Sequence, residues 1–164
     1  MALADQEARE GRRGDPELAD EGRAERLERM DRAHTERLRQ VVDRHGWPGR
    51  SMVGVAGSQA AWLLVQHADH DPEFQRRCLE LLDAAAGRGE ADPRHVAFLT
   101  DRVLIHEGKL QRFGTQLRED EGRLAPIPIE DPAGVEERRR AVGLGPLDEY
   151  VRDTERSHGL IPAD

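Results

Sequence analysis

Three polar phrases interrupt apolar stretches of this sequence: Gln66-His67-Ala68-Asp69, Asp101-Arg102-Val103 and Gln111-Arg112-Phe113-Gly114-Thr115-Gln116. Ionisable groups among apolar neighbours are costly unless they are paired or used for chemistry, so three interruptions within about fifty residues point to one shared site. Asp101 is the most telling of them. On a helix its same-face neighbours are Ala97, Phe98, Leu104 and Ile105, so its carboxylate must exchange water for a cation or hydrogen-bond donors. Arg102 points about 100° away around such a helix, which makes a partner distant in sequence the expected one. The structural reading is a buried aspartate bonded to a helix N-terminus or an arginine.

His67 follows Leu63 and Leu64 by one turn and is expected where the core meets a helix end. Alone, it reads as a core histidine with its hydrogen bonds satisfied. Paired with Asp101, it becomes the base-and-orienter unit of general acid–base catalysis. In that arrangement Arg102 binds an anionic group, and Gln66, Asp69, Gln111, Thr115 and Gln116 position a polar or anionic small molecule. Gly114 permits close backbone approach or a positive φ. The competing reading of this last phrase is a side-chain network that closes a hairpin onto the helices.

No cofactor is expected. The one metal arrangement with any spacing in its favour uses His67, His70, Asp69 and Asp101, since His67 and His70 stand three residues apart on a helix. Neither H-E-x-x-H nor E-x-x-H occurs, and there is no G-x-S-x-G elbow, phosphate loop or dinucleotide fingerprint. Cys78 stands between Phe74 and Leu82 on an apolar stripe and reads as packing rather than as a nucleophile.

The elements that must position these residues are mostly helical. A first helix is expected from about Glu21, with Leu27, Met30, His34, Leu38, Val41 and His45 on one stripe, stopped by Gly46, Pro48 and Gly49. Residues 55–69 form a second, apolar nearly all round and therefore central. Asp71-Pro72 and Asp92-Pro93 each open a further helix, because aspartate accepts from the orphan amides and proline gives up no needed donor. The first of these buries Phe74, Cys78, Leu81, Leu82 and Ala85; the second runs to about Glu107. Thr115–Leu117 and Leu124–Ile127 then alternate as strands around the polar turn 118–123, and Pro126 and Pro128 confine the second strand to an edge. Asp131-Pro132 opens a last short helix, and Pro146–Arg152 adds a turn. The fold class is mainly α: a compact bundle of four to five helices with a small C-terminal β-hairpin. Residues 1–24 read as a polar, frayed tail, 25–152 as one globular domain and 153–164 as a C-terminal tail.

Composition bounds the function classes. The 164 residues carry 25 basic and 33 acidic side chains, a net charge of -8 that opposes general nucleic-acid binding. Arg138-Arg139-Arg140 follows Glu136-Glu137 and reads as a solvated helix face. No stretch approaches the ~20 apolar residues that span a bilayer, and the first residues lack the apolar core of a secretory signal. With Cys78 the only cysteine, no disulfide or cysteine-based zinc site can form within one chain, and a reducing cytoplasmic setting is expected.

The three phrases, in this order, resemble a bacterial family catalogued as a domain of unknown function, number 6624. The resemblance runs from Gly57-Ser58-Gln59-Ala60-Ala61-Trp62-Leu63-Leu64-Val65-Gln66-His67-Ala68-Asp69 and Phe74-Gln75 through Leu99-Thr100-Asp101-Arg102-Val103 and Gln111–Gln116. It continues in Pro128-Ile129-Glu130-Asp131-Pro132, Val135-Glu136-Glu137-Arg138-Arg139 and Gly143-Leu144-Gly145-Pro146-Leu147-Asp148-Glu149-Tyr150. It covers about residues 25 to 152, with Phe113 where that family's version has tyrosine. It implies that the phrases act as a unit and implies no activity.

Two function classes follow. One is an acid–base enzyme or small-molecule-binding domain centred on His67 and Asp101. The other is a non-catalytic interaction module in which the polar phrases form a structural hydrogen-bond network, with the charged N-terminal helix or the hairpin edge binding a protein partner. Neither class involves nucleic acid or membrane.

Overall fold

The computed structural model describes residues 20–161, so the segment expected to fray at the N-terminus falls almost entirely outside the described residues. Six α-helices and one two-stranded hairpin are present among the described residues. They divide into two compact units, the first ending at Ala91 and the second opening at Asp92.

The first unit holds α1 (Asp20–His45), α2 (Arg50–Gln66) and α3 (Pro72–Gly87). On α1 the stripe read from sequence is deepest at Leu38, with Thr35 and Val42 buried beside it, while Leu27, Met30, His34 and Val41 are half-buried and His45 is exposed. Helix α2 begins five residues earlier than the 55 expected. The reason is distant in sequence: the Glu90 carbonyl accepts the Arg50 N–H at 2.9 Å and its carboxylate accepts the Ser51 N–H at 2.7 Å. Gly54, at φ 72° and ψ 174°, interrupts this helix in a conformation that a side chain would strain. The helix also stops at Gln66 rather than 69, with His67 as its C-cap. Its burial is one-sided, not all round: Ser58, Ala61, Leu64, Val65 and Gln66 are buried, whereas Val55 is 66% exposed. Helix α3 opens as expected, with the Asp71 carboxylate accepting the Phe74 N–H at 3.0 Å and Pro72 in the first turn. Phe74, Cys78, Leu82 and Ala85 are buried and Leu81 half-buried, each full burial of a leucine or phenylalanine contributing roughly 1.5–3 kcal/mol. Helix α1 packs on α2, and α2 on α3.

The second unit opens with α4 (Pro93–His106), capped by Asp92, whose carboxylate accepts the Arg94 N–H at 3.0 Å. Strands β1 (Leu117–Asp120) and β2 (Arg123–Pro126) pair antiparallel from Leu117↔Pro126 to Asp120↔Arg123. Glu121 (φ 49°) and Gly122 (φ 78°) make the tight two-residue turn whose twist matches that of the strands. The six-residue turn expected at 118–123 is therefore two residues, and Thr115 and Gln116 lie outside the ladder. A 3-10 turn (Pro132–Gly134) leads into α5 (Val135–Ala141), and α6 (Leu147–Ser157) runs three turns where one was expected. Asp131, unlike Asp71 and Asp92, makes no capping bond; its φ is 48°. Helix α6 packs on β2 and α5 on α6. Residue 24 lies inside α1 and residue 153 inside α6, so helix extends across both expected tail boundaries. Among the described residues no helix is long and apolar enough to cross a membrane.

Candidate functional site

Asp101 sits on α4 with no exposed surface, and its carboxylate serves the loop that follows that helix. One oxygen accepts the Arg112 N–H at 2.7 Å and the Phe113 N–H at 3.0 Å. The other accepts the Thr115 N–H and the Thr115 hydroxyl, both at 2.9 Å, with the Phe113 N–H shared at 3.2 Å. Four donors thus replace the water that an isolated buried carboxylate would lack. The expected partner, an arginine or a helix N-terminus, is instead a loop of main-chain amides. Gly114, at φ 67°, lets that loop curl around the carboxylate, and a Cβ there would stand 2.8 Å from a Leu147 methyl and 3.0 Å from one of Ile129.

The same loop is held from its carbonyl side. The Arg138 Nε donates to the Arg112 carbonyl at 2.8 Å, an Arg139 guanidinium N–H to the Phe113 carbonyl at 2.6 Å, and the Tyr150 hydroxyl to the Thr115 carbonyl at 2.8 Å. Arg139 also reaches the Gly145 carbonyl at 2.7 Å and lies 5.2 Å from the centre of the Tyr150 ring. Tyr150 meets Phe98 edge-on at 5.8 Å. Burial lowers the pKa of the Arg139 guanidinium and raises that of the Tyr150 phenol, as expected for groups that lose water on folding. Gln111, with no exposed surface, clamps the base of the hairpin. Its side-chain amide donates to the Gln116 and Ile127 carbonyls at 3.0 and 2.6 Å, and its side-chain oxygen accepts the Gln116 N–H at 3.0 Å. The Gln116 side chain in turn donates to the Thr115 hydroxyl at 3.1 Å.

The first phrase has a different architecture and lies in the first unit. His67 is half-buried at the end of α2, and Ala68, with no exposed surface, donates its N–H to the Val65 carbonyl at 3.0 Å. Asp69 is exposed and accepts from the buried Gln75 side chain at 3.1 Å; the same Gln75 nitrogen donates to the Val65 carbonyl at 2.9 Å. Gln75 therefore stitches the α2–α3 turn closed. Arg39 of α1 pairs with the capping Asp71 and lies over the Phe74 ring, 4.4 Å from its centre.

The candidate residues thus fall into two groups. Asp101, Gln111, Thr115 and Gln116 are joined by direct hydrogen bonds within the second unit, with Arg102 half-buried on the same helix as Asp101. Gln66, His67 and Asp69 belong to the first unit, where Gln66 is buried. Among the described residues no three His, Cys, Asp or Glu side chains are grouped so as to hold a metal. A cleft of 450 Å³ in the second unit is lined by Arg123, Pro126, Leu147, Arg152 and Glu155 among others, and by none of the candidate residues.

Sequence reasoning missed Arg139, Tyr150, Glu155 and Gln75. The reading of Arg138-Arg139-Arg140 as a solvated face holds for Arg140 alone, since Arg139 is 1% exposed and Arg138 half-buried. The available signal was the spacing of four that puts Arg139 beside Val135 on the buried side of α5. Glu155, equally buried, accepts from Arg123 at 2.7 and 3.2 Å and from the Leu124 N–H at 3.0 Å. The Arg123 bond is the main reason its carboxyl titrates below the usual range. Cys78 is fully buried, and desolvation pushes its thiol up to about 12, which fits packing rather than nucleophilic chemistry.

A helical domain with a clamped hairpin is the class that this geometry defines. The chain belongs to the family of unknown function DUF6624, which it matches over residues 2–162. No curated protein and no solved structure matches it.

Proposed function

We propose that this chain is a non-catalytic protein-interaction domain in which the polar phrases form a framework that holds the hairpin in a fixed position. The observation that carries this reading is the Asp101 carboxylate, whose two oxygens accept five hydrogen bonds from the 112–115 loop. A catalytic partner of His67 would need an oxygen directed at the imidazole. An anchor needs its oxygens on the loop, and that is where these bonds lie. The fully buried thiol of Cys78 is compatible with the reducing, cytoplasmic setting that belongs to the same reading.

The alternative is an acid–base or ligand-binding centre at His67 and Asp101, and it makes an opposite prediction. In a thermal-shift screen of small polar and anionic metabolites, the interaction-domain reading expects no stabilisation that depends on His67. His67→Ala should fold, and its melting profile across the library should parallel that of the parent. A compound that stabilises the parent and loses its effect in a folded His67→Ala variant would overturn the reading.

A further inference from the structure

We infer that the outer edge of β1 is a docking site for an extended cationic segment of a partner protein, which adds to the hairpin as a third, antiparallel strand. This inference rests on the interaction-domain reading and names the surface and chemistry that the reading needs. In an antiparallel ladder, alternate residues direct their backbone groups into the pair and away from it. Two bonds fix which is which. The Ile127 N–H reaches the Gln116 carbonyl at 3.0 Å, so that pair points inward, and the Leu124 N–H reaches Glu155 at 3.0 Å, so the Glu119↔Leu124 pair points outward. By the same alternation Leu117 and Pro126 also point outward.

The two edges of the hairpin are therefore unlike. On β2 the outward N–H of Leu124 is taken by the buried Glu155 carboxylate, and Pro126 has no N–H to offer. That edge has no N–H left to donate to a further strand. On β1 the outward N–H and C=O groups of Leu117 and Glu119 have no hydrogen-bond partner among the described residues. Arg118, Glu119 and Asp120 are exposed, as is Glu121 at the turn. Open strand edges are usually blunted by charge, and these charges select as well as protect. A second copy of this strand is a poor occupant. The register that bonds Leu117 to Glu119 of the copy sets Arg118 against Arg118, and the register centred on Glu119 sets Glu119 against Glu119 between two Arg118–Asp120 pairs, so each carries a like-charge pair at its centre. A strand with lysines opposite Glu119 and Asp120, a neutral residue opposite Arg118 and an apolar residue opposite Leu117 has no such conflict. The framework behind the hairpin, from Gln111 at its base to Glu155 and Arg123 at its back, holds the edge ready for such a strand.

The test is fluorescence anisotropy of the labelled peptide Thr-Lys-Lys-Thr-Val-Thr titrated with the full chain, beside a twin in which both lysines are glutamate. The expected result is saturable binding of the lysine peptide, weakened by salt, with the twin at least about tenfold weaker. Glu119→Pro removes one outward donor and no bond of the β1–β2 ladder, and should abolish binding at an unchanged melting temperature. Glu119→Lys keeps every backbone bond and should shift preference toward the glutamate twin. Failure of the lysine peptide to bind, equal binding of the twin, or unchanged binding by a folded Glu119→Pro variant would each overturn the docking site. A His67-dependent small-molecule effect would instead overturn the reading on which it rests.

Discussion

The two units use buried polar residues in opposite ways. In the first, Gln75 makes two hydrogen bonds that close one turn, and Asp71 caps the helix that follows while pairing with Arg39. These contacts join elements adjacent in sequence, or brace a helix that hydrophobic burial already holds. In the second, the six residues from Gln111 to Gln116 have almost no regular structure, and the backbone of Arg112, Phe113 and Thr115 is held by side chains. Asp101 takes amides, while Arg138, Arg139 and Tyr150 donate to carbonyls. A polar phrase in an apolar stretch can therefore be a local stitch or the centre of a long-range framework. The second kind gathers residues from several elements around one loop.

The comparison sets an order of mutational effects. Asp101→Ala should be the most damaging change, at about 3–4 kcal/mol, because it leaves several buried donors without an acceptor. Urea unfolding followed by circular dichroism measures it; a loss below about 1 kcal/mol would show that the loop holds without its anchor. Gln75→Ala should cost about 2 kcal/mol through loss of its bonds to Val65 and Asp69 and a small void, and Trp47 and Trp62, both in the first unit, report it by fluorescence. An equal or larger effect than that of Asp101→Ala would reverse the ranking of the two units.

The smallest effect concerns pH. The Arg94 side chain, bonded to Asp92 at 2.6 and 3.0 Å, holds the Asp92 carboxyl at about 2 against an ordinary 3.8. A carboxyl lowered on folding stabilises the native state above its unfolded pKa, and that contribution is lost as pH falls toward the folded value. Between pH 3.8 and about 2 the parent should therefore lose stability that Asp92→Asn does not have to lose. Parallel acid-denaturation curves for the two proteins would contradict this.

The contrast also explains what was legible in the sequence. The Asp71-Pro72 and Asp92-Pro93 helix starts could be read because a capping bond spans only two or three residues. The burial of Asp101 was legible from its apolar neighbours on α4. Its partners were not, because donors 11 to 14 residues away become neighbours only when the loop curls at Gly114. The same curl draws Thr115 and Gln116 out of the strand that their pattern suggested. The early start of α2 depends on Glu90, 39 residues from Ser51. Arg139 was hidden for a related reason: a run of arginines looks solvated until carbonyls and an aromatic ring are placed around one of them. Periodicity reports which face is buried, and the identity of the groups on the other side comes from the fold.

The most direct test of Asp101 as a structural anchor is amide hydrogen exchange at Arg112, Phe113 and Thr115, measured by NMR in the parent, in Asp101→Asn and in His67→Ala. Asparagine keeps the shape of the side chain but turns one acceptor oxygen into a donor facing those amides. The account predicts slow exchange in the parent and in His67→Ala, and exchange faster by about tenfold or more in Asp101→Asn. Rapid exchange of these amides in the parent, or protection that survives Asp101→Asn, would contradict it.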